Sequence, residues 1–496
     1  MISLPKNAQV IIDTLKTAGF EAYAVGGSVR DTIMGRPTKG WDFTTNAIPE
    51  EILALFPDSF YDNQFGTVGI KIKEKDKRQT EKEEDKDETV DIYEVTTYRN
   101  ENGYTDRRHP DTITWGKTIE EDLARRDFTI NTIAWDGKTL IDPYDGQKDI
   151  EAKIIRAVRD PKKRFAEDAL RMMRAVRLAA ELGFSIEEKT FTGIQANANL
   201  LSNVSSERIR DELLRILAAQ FASDAILVLK ATGLLTLILP EFEDAFTTEQ
   251  KSPKRHHIYD VGTHSVMALK FCPSADPIIR LATLLHDIGK PKTFHKDDTG
   301  LITFYNHEVA GTRIVRNIVQ RLRLSHKQAD IVLTLVRWHQ FSVDERQTDA
   351  ALRRFIRRVG KENLDAILAL RIGDRLGGGA RETSWRLELY KKRLVEVQKQ
   401  PFTVHDLLVD GNDIMAELGV KPGPIIGKIL DMLFADVEAG TLLNEREALL
   451  KKMRELKSTE ENMGKDWIPG QARDDKTKKV REYTGGSGER TGDKSM

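Results

Sequence analysis

The sequence predicts an α+β protein, with a small mixed sheet in an N-terminal head and an all-α remainder. Three observations lead there. A short apolar run, Tyr23 to Val25, breaks at Gly26-Gly27-Ser28 and passes into a helix-like segment, as a strand does when it hands over to a helix. Residues 65–72 and 89–99 alternate and are rich in β-branched side chains, so both read as strands. Beyond residue 164 a strong helical pattern runs through Ala180, and helical stretches dominate the rest of the chain.

Taken in order, residues 5–20 carry helical periodicity through Val10, Ile11, Leu15 and Phe20. The turn after Val25 offers free N–H groups at a helix N-terminus, a setting that favours phosphate. A second apolar run carries Trp41-Asp42-Phe43, which places the Asp42 carboxylate on a strand beside that cradle. Phosphate next to carboxylate implies a divalent cation with oxygen ligands, usually Mg2+. Residues 48–56 read as a second helix. Residues 73–88 are almost wholly charged, which fits a solvated, disordered hairpin insertion. In the segment Glu120 to Asn131, the adjacent Arg125 and Arg126 can clamp a triphosphate. Asp127 and Asn131 can hold a ribose or orient those arginines.

The bulk numbers exclude several classes. The chain has 496 residues, long enough for several domains, and 31% of them are charged. Its net charge of −1 advertises no nucleic acid, so RNA binding has to come from local basic faces. A single cysteine, Cys272, excludes an internal disulfide framework and a cysteine-based zinc site. No apolar run approaches twenty residues and the start is polar, so neither a membrane span nor a secretory signal is expected. A cytoplasmic protein is the expectation.

The string Gly-Gly-x-Val-Arg-Asp from Gly26, with Gly35-Arg36 and Trp41-Asp42-x-x-Thr-x-Ala after it, resembles the signature of the tRNA nucleotidyltransferase/poly(A) polymerase family. That resemblance implies a polymerase-β-like head, with Gly26, Gly27, Ser28 and Arg30 at the nucleotide. It implies too that Glu94, on the strand ending Glu94 to Arg99, joins Asp42 at the metals. Residues 100–114 look like the flexible loop of that family, and the Arg125-Arg126-Asp127 segment matches as well. One departure stands at the centre. The family carries aspartates at i and i+2, which share a strand face and grip two metals. Here the first of them is Gly40, which offers no ligand. Asp62 and Asp91 are the nearby carboxylates that could substitute.

The helical pattern at 164–171 puts Asp168 and Arg171 three residues apart on one helix face, with Glu167 in support. Cytosine and adenine both present an amine donor beside a ring-nitrogen acceptor; guanine and uracil present the reverse. A carboxylate acceptor beside a guanidinium donor satisfies C and A and leaves G or U unpaired, at a cost of about 1–3 kcal/mol per buried group. Glu-Asp-x-x-Arg falls where the family keeps its base-reading motif. Residues 205–217 open like a capped helix and match a family segment with a structural or substrate-aligning role.

From about residue 255 the vocabulary changes. His264, His286-Asp287, His307, His339 and Asp374 stand on separate, mostly helical stretches, and imidazole with carboxylate suits a transition metal that activates water. Their order resembles the HD-superfamily phosphohydrolases, which implies His264, His286, Asp287 and Asp374 as core ligands. His307 and His339 match the extra pair of dinuclear members, with Mn2+, Ni2+ or Co2+ as candidate metals. Arg353, Arg354, Arg357 and Arg358 either touch RNA or form a solvated face. Residues 401–453 resemble the C-terminal helical region of the transferase family, with Ile425, Ile429, Leu430 and Leu433 along one side of a helix.

The expected plan is a head over 1–150, a helical neck over 151–250, an HD domain over 255–380, a tRNA-holding helical region over 400–456 and a disordered tail from 458 to 496. The activity this resemblance implies is untemplated addition of CCA to tRNA from CTP and ATP, with HD phosphohydrolase activity beside it. Three alternatives stay open: a CC-, A- or poly(A)-adding relative, a transferase-inactive HD hydrolase, and a non-catalytic tRNA-binding protein.

Overall fold

The head is built on a seven-stranded sheet in the order β3-β4-β5-β2-β1-β8-β9. Its strands are β1 (Ala22–Val25), β2 (Asp42–Thr45), β3 (Ser59–Asn63), β4 (Thr67–Lys73), β5 (Val90–Thr97), β8 (Ala134–Trp135) and β9 (Leu140–Ile141). A separate hairpin pairs β6 (Arg99–Asn102) with β7 (Thr112–Trp115). Every pairing in the sheet is antiparallel except β2 with β5, which run parallel with Asp42 beside Glu94. The structure, a computed structural model, describes residues 4–38, 40–63, 66–73, 90–102, 112–250, 259–398 and 404–463. The insertion at 74–88, the middle of the 100–114 loop and the tail beyond Met463 lie outside the described residues.

Helices α1 (Lys6–Thr17), α2 (Gly27–Ile33), α3 (Pro49–Leu55), α4 (Ile119–Ala124) and α5 (Gly146–Ala152) complete the head. In α1 the buried stripe is Ala8, Ile11, Ile12 and Leu15, while Val10 points outward, about half exposed. Val25, Tyr98, Ile119, Leu123 and Ala134 form a core that locks α4 to the sheet.

The neck comes next with α6 (Pro161–Glu167), α7 (Leu170–Leu182), α8 (Glu188–Asn197), α9 (Ser206–Ala218), α10 (Ala222–Ala231) and α11 (Leu234–Ile238). A short parallel pair, β10 (Ile154–Ile155) with β11 (Ser185–Ile186), ties the segment before α6 to the connection between α7 and α8. The helix expected to run unbroken from 164 to 180 is interrupted at Asp168, which is extended at φ −137°, ψ 107°. Its carboxylate accepts the N–H of Leu170, a local bond that competes with the helical one. Asp168 and Arg171 are therefore not neighbours on one helix face.

Beyond the neck stand α12 (Val261–Phe271), α13 (Pro277–Leu285), the hairpin of β12 (His295–Lys296) and β13 (Ile302–Thr303), α14 (His307–Arg321) and α15 (His326–Trp338). The chain divides into two compact units, and the first, Met1–Phe341, takes in Glu362–Thr383. That later segment supplies α17 (Leu364–Gly377), which packs on α12 through a seam of small residues. A Cβ on Gly377 would lie 2.5 Å from the Ala268 nitrogen, and one on Gly373 would lie 2.6 Å from the Ala268 oxygen. Glycine is needed at both for the backbones to approach.

The second unit, Ser342–Lys361 with Ser384–Met496, holds α16 (Asp349–Val359), α18 (Trp385–Val397), α19 (Gly411–Leu418), α20 (Pro424–Glu438) and α21 (Arg446–Met463). Ile414, Ile429, Leu433, Leu449 and Met453 centre its core, and Ile425 and Leu430 pack against it. Two of the four α16 arginines do structural work: Arg353 is buried and donates to the Glu438 carbonyl, and Arg357 pairs with the Glu438 carboxylate. Helix α21 also continues to Met463, into the stretch expected to be disordered from 458. Gly377→Ala should overpack the α12–α17 seam and cost about 1–3 kcal/mol, a loss read as a lower thermal unfolding midpoint.

Candidate functional sites in the head and among the α12–α17 helices

Parallel pairing puts Asp42 and Glu94 on adjacent strands in direct register, which sets both carboxylates on one sheet face, and both are exposed. Gly26 comes directly after β1 at φ 79°, ψ −142°, a conformation that side chains with a Cβ avoid. The space a Cβ would fill there lies 3.5 Å from Nη1 of Arg126 and 3.7 Å from Oδ2 of Asp42. Turn, carboxylate and guanidinium thus converge. Asp42 is exposed, yet desolvation by the surrounding protein raises its pKa, and Arg126 only partly opposes that.

Sequence reading missed the residue that holds the arginines. Asp122 is wholly buried, its Oδ1 accepting from Arg125 at 2.7 and 2.9 Å and its Oδ2 from Arg126 at 3.0 and 3.4 Å. Burial works to raise its pKa, but the two guanidiniums override that and hold it below the usual carboxylate range. Its position four residues before Arg126 on α4 was the available signal.

The other head residues serve mainly as supports. Ser28 donates to the Val25 carbonyl under the turn. The buried Arg30 gives Nε and Nη2 to Asp31 and Nη1 to Asn131. Asp127 accepts from Asn131 and the Phe128 N–H, and pairs with Arg174 at 2.7 Å. Behind them Arg164 donates to the carbonyls of Ala124 and Arg125, tying neck to head at the end of α4. Gly40 has nothing within 4 Å of the place its Cβ would occupy, so a larger side chain fits. Both expected substitutes lie on strands that the sheet places differently from Asp42. Asp91 lies three residues from Glu94 along β5, on the opposite face, and β3, which carries Asp62, is three strands away from β2.

The expected Asp168–Arg171 couple is not a pair in this structure. Asp168 is bound by Arg208 of α9 at 3.2 Å, and Arg171 by Glu167 at 2.8 Å. They remain joined through the backbone, Arg171 N–H to Asp168 carbonyl, at the helix break. Arg208, in the segment 205–217, is a second residue that the linear reading did not assign.

The six residues of the later motif do come together. His264, His286 and Asp374 form one group and Asp287, His307 and His339 another, each with its donor atoms within 4.8 Å of one another. Asp287 stands between them: Oδ2 lies 3.1 Å from His286 and 3.5 Å from His264, and Oδ1 lies 3.4 Å from His307 and 3.6 Å from His339. Backbone carbonyls of Thr283, Phe304 and Val336 accept from Nδ1 of His286, His307 and His339, which leaves their Nε2 atoms facing inward. Buried Nε2 of His286 has no hydrogen-bond partner. Despite burial, Asp287 and Asp374 are held well below the usual carboxylate range by the neighbouring imidazoles and, for Asp287, Lys290. Burial pulls His286 down, yet Asp287 and Asp374 push it up to about 10. The donor set fits metal.

Carboxylates abreast on a parallel strand pair, under a glycine turn and opposite an arginine fork, define a nucleotidyltransferase head of the polymerase-β-like class. Comparison with known proteins agrees. Residues 22–156 match the family described as Poly A polymerase head domain, 183–246 a probable RNA and SrmB-binding site of polymerase A, and 299–453 a putative tRNA nucleotidyltransferase domain 2. A CCA-adding enzyme of Ligilactobacillus salivarius is 31% identical over 453 residues, covering 91% of this chain and 96% of that protein. One from Levilactobacillus brevis is 33% identical over 449 residues, covering 89% and 96%. The crystal structure of the Bacillus stearothermophilus CCA-adding enzyme in complex with CTP superposes with a TM-score of 0.66 at 27% identity, over 92% of this chain and 100% of that one. The chain belongs to the CCA-adding enzyme family. Among the described residues no helix is long and apolar enough to cross a membrane.

Asp122→Asn should leave two arginines without their buried counter-charge and cost about 3–5 kcal/mol at neutral pH. Because the folded pKa of Asp122 is depressed, its contribution is present above the unfolded value near 4 and disappears as pH falls through the folded one. Denaturant titrations should therefore show the gap between parent and variant narrowing in acid.

Proposed function

We propose that the protein builds the CCA end of tRNA, taking C from CTP and A from ATP without a nucleic-acid template. The convergence of Gly26, Asp42 and Arg126 beside Glu94 carries this reading, in a chain that matches CCA-adding enzymes along nine-tenths of its length. The tRNA 3′-hydroxyl attacks the α-phosphate; the new P–O bond forms as the bond to the β-phosphate oxygen breaks, and pyrophosphate leaves with that electron pair. Asp42 and Glu94 would hold Mg2+, which lowers the hydroxyl's pKa and offsets the charge that develops. Arg125 and Arg126, braced by Asp122, bind the triphosphate, and the glycine turn lets it approach the backbone. Asp127 and Asn131 orient Arg174 and Arg30 behind it. A cytoplasmic setting, where tRNA and nucleoside triphosphates meet, goes with this reading.

Base choice rests on Asp168 accepting from the exocyclic amine and Arg171 donating to the ring nitrogen. Arg208 and Glu167 hold those two side chains before a base arrives, so the reader is braced in its charged form. The base must then share or displace these partners.

Gly40 withdraws one oxygen ligand; Asp91 lies on the opposite face of β5 from Glu94, and the strand of Asp62 is three strands from β2. The consequence is a slow transferase. The Gly40→Asp protein should incorporate labelled CMP and AMP into tRNA lacking its CCA end at least about tenfold faster than the parent, since losing even an outer-shell partner typically costs about 10–100-fold. Equal rates in parent and variant would show that the missing carboxylate does not limit transfer.

The ring around Asp287 favours a second activity, metal-dependent hydrolysis of a phosphoester, with Mn2+, Ni2+ or Co2+ as the candidate ion. A metal held there supplies Lewis acidity, while His286, His307 and His339 are aligned by their backbone carbonyls. Elemental analysis should find up to two ions per chain in that ring. Asp287→Asn should lose them together with any phosphatase activity, leaving CMP incorporation at the parental rate.

A further inference from the structure

The head sheet has two unlike faces along β4 and β5. Val68, Ile70, Tyr93 and Val95 are buried on one of them. On the other stand Lys71, Ile92 and Glu94, all exposed. Strand register extends the Asp42–Glu94 pair into a row across this open face. Glu94 is opposite Gly69 of β4, and Gly69 is opposite Phe60 of β3, at the edge of the sheet. Residues directly opposite one another share a face, so Asp42, Glu94, Gly69 and Phe60 lie side by side across four strands.

Gly69 leaves room for the aromatic ring. A Cβ there would lie 2.5 Å from Cζ of Phe60, so the ring folds back over β4 toward Glu94. The Lys71 ammonium is 5.2 Å from the ring centroid, a cation–π contact that favours this placement. Phe60 nevertheless stays 37% exposed. A single wet ring is ordinary on a protein surface; this one is set apart by its row. The direction of the reaction says what meets it. Gly26, directly after β1, and Arg126 converge on Asp42, and β1 flanks β2 on the side away from β5. A triphosphate held there has its leaving pyrophosphate on the β1 side. In-line displacement then brings the attacking hydroxyl from the other side, over β5 and β4. With strands about 4.8 Å apart, the Phe60 ring is within one nucleotide's reach of Asp42 and Glu94.

We propose that the Phe60 ring, seated over Gly69, is the platform on which the last base of the RNA acceptor stacks while its 3′-hydroxyl stands at Asp42 and Glu94. The inference rests on the transferase reading and adds to it the residue that positions the attacking end. Stacking suits such an acceptor. Every base has a π-face, so one ring serves an end whose last base changes as the chain grows, which a hydrogen-bonding reader would not.

The test is steady-state incorporation of labelled CMP by the full chain, in the parent and in the faster Gly40→Asp background. Two acceptors are compared, tRNA lacking its CCA end and the same RNA with an abasic last nucleotide. The intact acceptor should be preferred about 5- to 150-fold in kcat/KM, the worth of one stacked base. Phe60→Ala should lose that preference while the KM for CTP holds, and Phe60→Trp should keep it. Phe60→Leu, which keeps apolar bulk without a π-face, should lose it as well. Gly69→Val should push the ring off its seat and lose the preference with Phe60 still present. The preference is a ratio of two acceptors on one protein, so the stability of a variant does not enter it. A preference that is absent from the parent, survives in Phe60→Ala or persists in Phe60→Leu overturns the platform and leaves the transferase standing. No incorporation by either the parent or Gly40→Asp overturns the transferase reading and this inference with it.

Discussion

Asp122 is completely buried, and a carboxylate in that place stays ionised because Arg125 and Arg126 each bring a guanidinium to one of its oxygens. The same contact fixes where the arginines can go. Arg126 is turned toward the Gly26 bend and Asp42, and the carbonyls at the end of α4 are left for Arg164 and Arg171 of the neck. One buried charge therefore sets the position of both arginines and the junction between head and neck. It also links two segments that are separate in the linear order, the Arg125-Arg126 pair and the break at Asp168.

The second centre depends on close backbone approach rather than on charge alone. Gly373 and Gly377 let α17 press against Ala268 of α12, which brings Asp374 within 3.1 Å of His264. Gly289 does the same after α13, where a Cβ would collide with the His307 oxygen at 2.0 Å. The six His and Asp residues are spread over more than a hundred positions, and the small residues between helices bring them into one ring. Asp287, with an oxygen toward each half, is the hinge of that ring.

The neck shows how local and tertiary preferences trade. Asp168 gives up helical geometry for a bond to Leu170 N–H and an ion pair with Arg208. Periodicity over 164–180 could not reveal this, since the apolar positions on either side of the break keep helical spacing. Arg208 enters from a helix forty residues on, and only the packing of α7 against α9 makes it a neighbour. The α16 arginines carry a similar lesson: the basic run was open to an RNA face or a solvated one, yet Arg353 and Arg357 are spent on Glu438.

The strand–turn–helix at Gly26, the strands bearing Asp42 and Glu94, and the six residues that gather around Asp287 were legible from residue order alone. Each comes from rules that act over a few residues: φ freedom at glycine, alternation along a strand, and the donor chemistry of imidazole and carboxylate. Pairing was not legible. That β2 and β5 run parallel with Asp42 abreast of Glu94, that Asp122 holds both arginines, that Asp168 answers to Arg208, and that Asp91 faces away from Glu94 were decided by the tertiary structure. A sequence encodes which groups a segment carries; which of them meet depends on strand register and helix packing, summed over contacts from the whole chain.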